Sequence, residues 1–458
     1  MDITDTLSTG MYRPVINSTI LPIRKQAVFR KVPFIYLFPL PFCVNLPTGH
    51  IPFDGEKIQI RMESPFLHKT ERKILFLKLL IFVILGFHLS THLHDYFWQP
   101  DSGMLGQVAE RILAGEWPHI DFDDPYTGLG GFLHAGSFKF LGVKMSSIRY
   151  VHLFFSLLGL IAFMEICFLG SNIPLSIACC LLGYSFSYPV AFESMPSWYI
   201  LDFSLISVAL LLRYERSGHR ALLFLAGFCI GISCLFKITG VYIFAAALPW
   251  ILLFGQEHMA VPTAQQGTWL EKPAWRIILL IGPPAILLAT IFKVFTLKHL
   301  FYYIIPITLL LFAGISKALH EGFSVKGGLT KILLFSLGFS IPLVIYASLY
   351  AAHGGLSDLL TGIWISPQQR FTFYYEPLGS WTELALGIVP AVLLIPAPAR
   401  NKNLNVFLML FIGIAVVLLG MGCKSIPNRL VVWETLAYSI PWFAMVIAVF
   451  LLSGRISS

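Results

Sequence analysis

Four aspartates in the first third of the chain have a spacing that could bring two carboxylates to one site. Asp101 precedes an amphipathic stretch, and Asp121, Asp123 and Asp124 follow about 20 residues later. One carboxylate of such a pair can deprotonate a hydroxyl group while the other orients that hydroxyl or holds a cation. The structural alternative is that Asp101 is the N-cap of a helix and that the other three form a solvated, proline-bounded turn.

Two cationic residues could neutralise a phosphate group at such a site. Lys237 ends an apolar segment before a Thr239-Gly240 turn, and Arg370 lies in a later polar connection. A cation at the end of an apolar segment often only extends its side chain to the membrane surface. The functional alternative is a contact with a phosphate leaving group, which a cation stabilises and which Arg can bind in bidentate geometry. We expect at least one of the two to contact phosphate.

Three residues are candidate substrate ligands. His119 lies in the same loop as the aspartates, and Trp198 and Asp202 lie at the start of a later apolar segment, just after Glu193. An acid near the start of a span is often functional, although Asp202 can equally serve a helix N-terminus. Glu165, which lies deep within an apolar segment, is expected to pair with other residues of the bundle.

The histidines near the aspartates do not form a recognisable metal site. Imidazole and carboxylate ligands suit zinc, but the His92–His94 spacing matches no diagnostic pattern. The seven cysteines contain no CxxC pair and lie mostly in apolar segments. We therefore assign no metal-binding residues. A divalent cation stays open as the one cofactor.

The composition indicates that these residues belong to an integral membrane protein. Of 458 residues, 56% are hydrophobic and only 12% are charged, whereas soluble domains have about 25% charged residues. The net charge of +8 is spread over short connections, and no basic stripe is interleaved with aromatic residues, so we predict no nucleic-acid partner. Neither a P-loop nor a soluble nucleotide-sugar domain is evident, so a donor substrate would have to reach the site from the membrane.

The apolar segments predict an all-α, polytopic integral membrane bundle of about 12 transmembrane helices, since about 20 apolar residues are needed to cross a bilayer. We assign these spans to a domain that covers residues 69–458. Residues 1–68, which carry a proline-rich apolar patch, are predicted to be a poorly ordered extension, and the first 61 are expected to be dispensable or a mis-assigned start. The candidate spans are residues 74–93, 148–169, 173–189, 198–213, 221–236, 240–254, 277–293, 300–316, 331–351, 383–397, 404–422 and 430–452.

Lys and Arg residues predict the orientation of the bundle, because they concentrate in cytoplasmic connections. Both chain termini are predicted to be cytoplasmic, and the first long loop, residues 94–147, is predicted to be extracytoplasmic. That loop is expected to form two interfacial helices, one from Asp101 to Gly115 and one over residues 129–141. The basic connections on which the orientation depends are residues 213–220, 272–276, 317–331 and 400–402.

The ordered motifs of this loop and of three later stretches resemble the GT-C glycosyltransferases. Within that superfamily the most similar groups are the protein O-mannosyltransferases, the aminoarabinose transferases of lipid A and the rhizobial lipopolysaccharide glycosyltransferases. The resemblance covers about residues 74–375 in order and spacing. It rests on Gln99-Pro100-Asp101-Ser102-Gly103, Ala109 through Pro118, Asp121-Phe122, Pro196 through Asp202, Gly227 through Gly240, and His353 through Leu359 followed by Pro367.

The resemblance implies a glycosyltransferase of the cell inner membrane that takes a sugar from a polyprenyl-phosphate donor. It implies transfer with inversion to a lipid, glycan or protein acceptor, an extracytoplasmic site, and Asp101 as the catalytic base. Many members have Asp-Glu where this chain has Asp101-Ser102, so the partner of the base is left open. Asp123 or Asp124 could take that role, and Asp121 has the family-like position in the turn.

Three other functions stay open. A secondary transporter or a flippase for lipid-linked sugars would also have about a dozen spans, but inverted halves with broken spans are not evident. An O-antigen polymerase or ligase would place mostly Arg and His in a large late loop, whereas residues 352–382 contain one Arg. A non-catalytic membrane scaffold leaves the acidic first loop unexplained.

Overall fold

The chain folds as helices wherever its structure is described. The computed structural model describes residues 65–94, 100–187, 192–253, 273–292, 295–321 and 325–366, together with residues 442 and 445. Within those ranges there is no β-strand, as the apolar composition predicts. Nearly all of the predicted extension 1–68, the predicted spans at 383–397 and 404–422, most of 430–452, and Arg370 lie outside the described residues.

The helices follow the order of the apolar segments. Each of the nine predicted spans that falls within the described ranges coincides with a helix. A 3-10 turn covers Ile238–Gly240, and π-helical turns cover Leu300–Ile304 and Thr361–Ile365. In chain order the α-helices are α1 (Pro65–Ser90), α2 (Pro100–Leu113), α3 (Leu129–Leu141), α4 (Met145–Gly170), α5 (Ile173–Ser187), α6 (Pro196–Ser217), α7 (Arg220–Phe236), α8 (Val241–Leu253), α9 (Pro273–Ile291), α10 (Leu297–His299), α11 (Ile305–Glu321), α12 (Val325–Ala352) and α13 (Leu356–Leu360).

Five segments of the described chain are long and apolar enough to cross a membrane. Helices α5, α7 and α8 are also apolar but shorter than 18 residues. Large apolar side chains such as Phe87 and Leu333 are exposed, as contact with lipid requires. The predicted all-helical fold is therefore confirmed for the described residues, and five helices suit a membrane protein by length and composition, while the total of about 12 spans stays a prediction. The five segments are Glu71–Ser90, Met145–Gly170, Pro196–Ser217, Leu297–Ser316 and Gly328–Ala352.

Helices α7 and α12 run in the same direction and pack closely through glycine. Gly227 and Gly231 of α7 form a GxxxG pattern, and a Cβ atom at Gly227 would collide with the carbonyl oxygen of Phe335. In the same way, a Cβ atom at Gly338 of α12 would collide with the carbonyl oxygen of Phe224. Small residues allow two backbones to approach, which is a common basis of helix association in lipid. Because the two helices are parallel, their C-termini lie at the same end of the bundle.

The C-termini of α1, α7 and α12 and the N-termini of α4 and α6 meet at one end of the bundle, which we call the loop end. Arg149 near the start of α4 donates a hydrogen bond to the carbonyl oxygen of Leu93 after α1, at 3.1 Å. Tyr199 near the start of α6 stacks on Phe236 at the end of α7, with ring centroids 4.4 Å apart. Residues that are far apart in sequence therefore become neighbours at the loop end.

Glu165 lies towards the opposite end of the bundle and joins three helices. Its carboxylate pairs with Lys78 of α1 at 2.7 Å and with Arg213 of α6 at 3.0 Å. Two cations offset part of the cost of removing this carboxylate from water. The prediction that Glu165 pairs within the bundle is confirmed.

The first loop forms the two predicted helices, α2 and α3. Gly115 follows α2 with φ +95° and Gly142 follows α3 with φ +87°, and both values lie in the region that favours glycine. The two helices pack where Val108 and Ile112 of α2 cover Gly131 of α3. A Cβ atom at Gly131 would collide with both side chains, so glycine permits this close contact.

Candidate functional site

The acidic turn, residues 121–124, is shaped by its own carboxylates. The carboxylate of Asp121 accepts a hydrogen bond from the backbone N–H of Trp117 at 2.7 Å. Asp123 is exposed. Asp124 is only 4% exposed and accepts a hydrogen bond from the backbone N–H of Tyr126 at 2.9 Å. Such local bonds are how Asp stabilises turns, so Asp121 and Asp124 both have a structural role.

Arg111 of α2 ties the helix to the acidic turn. It forms an ion pair with Glu116 and donates a hydrogen bond to the carbonyl oxygen of Asp121 at 3.3 Å. Its guanidinium also lies 4.2 Å from the centroid of the Phe122 ring. The ion pair is partly exposed and contributes little by itself, but the three contacts together fix the turn relative to α2.

The residues that flank the acidic turn pack against the C-terminal ends of α7 and α12. The backbone N–H of Thr127 donates to the carbonyl oxygen of Phe236 at 3.3 Å, and the Tyr346 hydroxyl donates to the carbonyl oxygen of Thr127 at 2.9 Å. Trp117 lies 5.4 Å from Tyr350 and 3.9 Å from His353, measured between ring centroids. The first-loop motif and the His353 stretch, which sequence analysis treated as separate motifs, are therefore in contact.

Lys237 lies beside the acidic turn. It follows the last residue of α7 in an extended conformation, and its backbone N–H donates to the carbonyl oxygen of Ser233 at 3.3 Å. Its ammonium lies 5.8 Å from the centroid of the Tyr126 ring. Since Tyr126 also bonds to Asp124, the predicted cation and one predicted carboxylate belong to the same local cluster.

Asp101 lies in the first turn of α2, which begins at Pro100, and so it does not precede the helix as an N-cap would. A carboxylate in that turn is favoured by the helix dipole, but the side chain of Asp101 lies outside the described part of the structure. Its neighbour Ser102 is buried. Arg370, the other predicted phosphate ligand, also lies outside that part.

The three predicted substrate ligands fall in two different places. His119 belongs to the acidic turn region: its φ is +68°, its N–H donates to the carbonyl oxygen of Phe122 at 2.7 Å, and its ring lies against Gly362. Trp198 and Asp202 lie at the α4–α6 interface. The Trp198 ring is 6.2 Å from that of His152, and Asp202 is fully buried against Gly159.

A buried hydrogen-bonded group that sequence analysis did not identify holds α3 on the bundle. His134 Nε2 lies 2.9 Å from Ser194 Oγ and 3.1 Å from the Tyr199 hydroxyl, and these two hydroxyls also bond to each other. The histidine is fully buried, and burial lowers the pKa of His134 to about 3, so its ring is neutral at pH 7. In the sequence, the signal for this group was His134 itself, a polar residue within the apolar stretch Leu129–Leu141.

A small pocket lies next to this group, between α2, α4 and the segment before α6. It has room for about one water molecule. Among its polar residues, sequence analysis noted Glu193 only as an acid near a span and gave no role to Arg149. The lining residues are Ser102, Leu105, Met145, Ile148, Arg149, Glu193 and Ser194.

Neither a metal site nor a known relative identifies the chemistry. Among the described residues, no group of three or more His, Cys, Asp or Glu side chains is arranged to hold a metal ion. No family model, curated protein or solved structure matches the chain. The function therefore has to be argued from the chemistry of the loop end.

Proposed function

We propose that this protein is a membrane glycosyltransferase that moves a sugar from a polyprenyl-phosphate donor to a hydroxyl group of a lipid, glycan or protein acceptor. The observation that carries the proposal is the packing of the acidic turn beside Lys237 at one end of an apolar helical bundle. Carboxylates and a cation are the groups needed to activate a hydroxyl and to receive a phosphate leaving group. A donor anchored in lipid can present its phosphate at such a boundary.

The proposed reaction is a single displacement. Asp101 takes the proton of the acceptor hydroxyl, the acceptor oxygen forms a bond to the anomeric carbon, and the bond from that carbon to the phosphate oxygen breaks. Polyprenyl phosphate leaves with the electron pair of that bond, and Lys237 stabilises its charge. Arg370 is a second candidate for this phosphate contact.

The carboxylates of the acidic turn serve this reaction in different ways. Asp121 shapes the turn by accepting the N–H of Trp117, so we propose that it positions the loop. Asp124 is nearly inaccessible and accepts the N–H of Tyr126 in the cluster that contains Lys237, so we propose that it also positions the loop. Asp123 is exposed, so an acceptor or a divalent cation could reach it.

We propose that the loop end faces the extracytoplasmic side of a multi-pass cell membrane protein whose termini are cytoplasmic. At the opposite end of the bundle, the end of α6 and the start of α7 carry Arg213, Arg216 and Arg220 within a few residues. Short connections rich in Lys and Arg are retained in the cytoplasm. The first loop would then meet the donor on the outer side of the membrane.

The proposal is tested by measuring polyprenyl phosphate released from a panel of polyprenyl-phosphate sugars by the purified protein in lipid vesicles. Asp101→Asn removes the base and keeps the size of the side chain, so we expect the rate to fall by about 10²–10⁴-fold. Glu110→Gln, which changes an exposed carboxylate of α2, is the matched control and should retain the rate.

Three outcomes would contradict the proposal in different ways. Full activity of Asp101→Asn would remove the assignment of the base. Absence of release from every donor would reject the transferase. Movement of an intact lipid-linked sugar across the vesicle membrane without release of polyprenyl phosphate would favour the transporter or flippase.

A further inference from the structure

An apolar helix that is too short to cross a membrane follows α12 at the loop end. It covers residues 356–365, where α13 continues directly into a π-helical turn, and we call it the 356–365 helix. At 1.5 Å per residue it is about 15 Å long, whereas the apolar core of a bilayer is about 30 Å thick. An apolar helix of this length is either buried within a protein or placed at the membrane surface.

The exposure of its side chains excludes complete burial within the described protein. Leu360 is 54% exposed and Trp364 is 58% exposed, and Leu356 is also exposed. These three residues are four positions apart, a spacing that places side chains on one face of a helix. The 356–365 helix therefore has an apolar stripe, formed by these three residues, that the described part of the chain leaves open.

Another face of the same helix packs on the first loop. Leu359 is buried. A Cβ atom at Gly355 would collide with the side chain of Ile120, and a Cβ atom at Gly362 would collide with the ring of His119. The two glycines thus permit close contact with the residues that directly precede the acidic turn. A force that fixes the 356–365 helix will therefore also fix this turn.

The position of the helix and its third face indicate a water–lipid boundary. The preceding membrane-spanning segment ends at Ala352, so the 356–365 helix begins where the chain leaves the membrane. Ser357, Asp358 and Thr361 are exposed polar residues of this helix. A polar face beside an apolar stripe is typical of helices that lie in the membrane surface, and tryptophan is enriched at that depth.

We propose that the apolar stripe inserts into the lipid of the membrane surface and that the 356–365 helix thereby holds the acidic turn at the water–lipid boundary. The partner is the bilayer itself, whose phospholipids receive Leu360 and Trp364 among their upper acyl chains. The one charged residue of the helix, Asp358, is exposed and repels anionic head groups. The contact therefore depends on apolar area and not on lipid charge.

Contact with lipid is tested by photo-crosslinking of the full chain in phosphatidylcholine vesicles. p-Benzoylphenylalanine, which bonds to a nearby C–H group on irradiation, replaces Leu360 or, as the matched control, its exposed polar neighbour Thr361. Mass spectrometry then measures the lipid adducts. The apolar face of an interfacial helix lies about 5–10 Å inside the head-group boundary, so we expect at least about fivefold more lipid adduct at Leu360 than at Thr361. The same replacement of Trp364 repeats the test if the Leu360 variant does not fold.

The effect on the acidic turn is tested by hydrogen exchange in the same vesicles. The backbone N–H groups of His119 and Asp121 donate hydrogen bonds of 2.7 and 2.9 Å within the first loop. Leu360→Asn removes one apolar contact with lipid. We expect exchange of these two N–H groups to become about tenfold faster, which is the factor that burial of one leucine contributes. Ser357→Asn, at an exposed polar position, is the control and should keep the wild-type exchange rate.

Two kinds of result would overturn the inference. Equal adduct yields at Leu360 and Thr361, or adducts only with other residues of this chain, would show that the apolar stripe does not contact lipid. Unchanged exchange in Leu360→Asn, despite lipid adducts at Leu360, would show that this contact does not hold the acidic turn. Neither measurement uses sugar transfer, so both can fail while the transferase proposal stands, and both can succeed if it is wrong.

Discussion

His134 allows a quantitative test of how the first loop is held on the bundle. Its Nε2 atom contacts Ser194 and Tyr199 in a fully buried setting, and its Nδ1 atom has no hydrogen-bond partner among the described residues. Protonation would place a positive charge and a second N–H donor in this site without water. The folded state therefore strongly favours the neutral ring.

The sign and size of the effect on stability follow from the pKa of His134, which burial lowers from 6.5 to about 3. Below pH 6.5 the unfolded chain binds a proton that the folded chain does not bind, so acid destabilises the folded state. The stabilisation is complete above pH 6.5 and is lost progressively as the pH falls towards 3. At about 1.4 kcal/mol per pH unit, the loss from this residue at pH 5 is about 2 kcal/mol.

The assay compares the melting temperature at pH 7.5 and at pH 5 for the wild type and for His134→Gln in the same detergent. The side-chain amide of glutamine can form a hydrogen bond near the position of Nε2, but it does not titrate. With an unfolding entropy of about 2.1 cal/mol/K per residue, a loss of about 2 kcal/mol in a chain of 458 residues lowers the melting temperature of the wild type by about 2 °C more than that of the variant. His152, the other buried histidine of this region, is present in both proteins, so only the part of its response that depends on the charge of His134 differs between them.

Burial of a neutral His134 would be refuted as the cause if the melting temperatures of the wild type and of His134→Gln fell by the same amount on acidification. His219→Gln provides the control, because His219 is exposed at the opposite end of the bundle. That variant should follow the wild type at both pH values. A control that lost its pH dependence would show that exposed histidines, and not burial at His134, determine the response.

Two further predictions concern helix packing and donor binding. Gly227→Leu should destabilise the protein by about 1–3 kcal/mol, because the new side chain meets the Phe335 backbone. Gly282→Leu is the control and should have little effect, because nothing lies within 4 Å of a Cβ atom there. Equal melting temperatures of the two variants would contradict the close contact between α7 and α12. Lys237→Gln should raise the donor KM at least about tenfold, because it removes a charged contact to the donor phosphate. Lys139→Gln, at an exposed site on α3, is the control and should keep the wild-type donor KM. A donor KM of Lys237→Gln within about threefold of the wild-type value would exclude the phosphate contact.

Sequence periodicity and apolar length predicted the helices well because both depend on local properties of the chain. The boundaries of the second loop helix, Leu129–Leu141, agree with the prediction because Gly142 provides a local stop signal. Glu165 was correctly expected to pair, since a carboxylate in an apolar segment needs a counter-ion. Its partners, Lys78 and Arg213, could not be identified, because they depend on which helices are neighbours.

The residues of the candidate site could be predicted only in part, because their contacts also depend on which helices are neighbours. The aspartates and Lys237 stand out in sequence as charged residues next to apolar segments. Their contacts with the ends of α7 and α12 depend on the packing of those two helices, whose close approach Gly227 and Gly338 permit. No local pattern relates Ser102 to Glu193, although the two line one pocket.

The arrangement at the loop end also separates residues that fix the loop from residues that are available to substrate. Asp121 already accepts the Trp117 N–H, and Asp124 accepts the Tyr126 N–H while it is nearly inaccessible. Carboxylates that accept backbone N–H groups in this way hold the shape of a turn. The acidic turn therefore suits the task of holding the loop on α7 and α12 beside Lys237. The proposed base therefore stays Asp101, whose backbone lies in the first turn of α2.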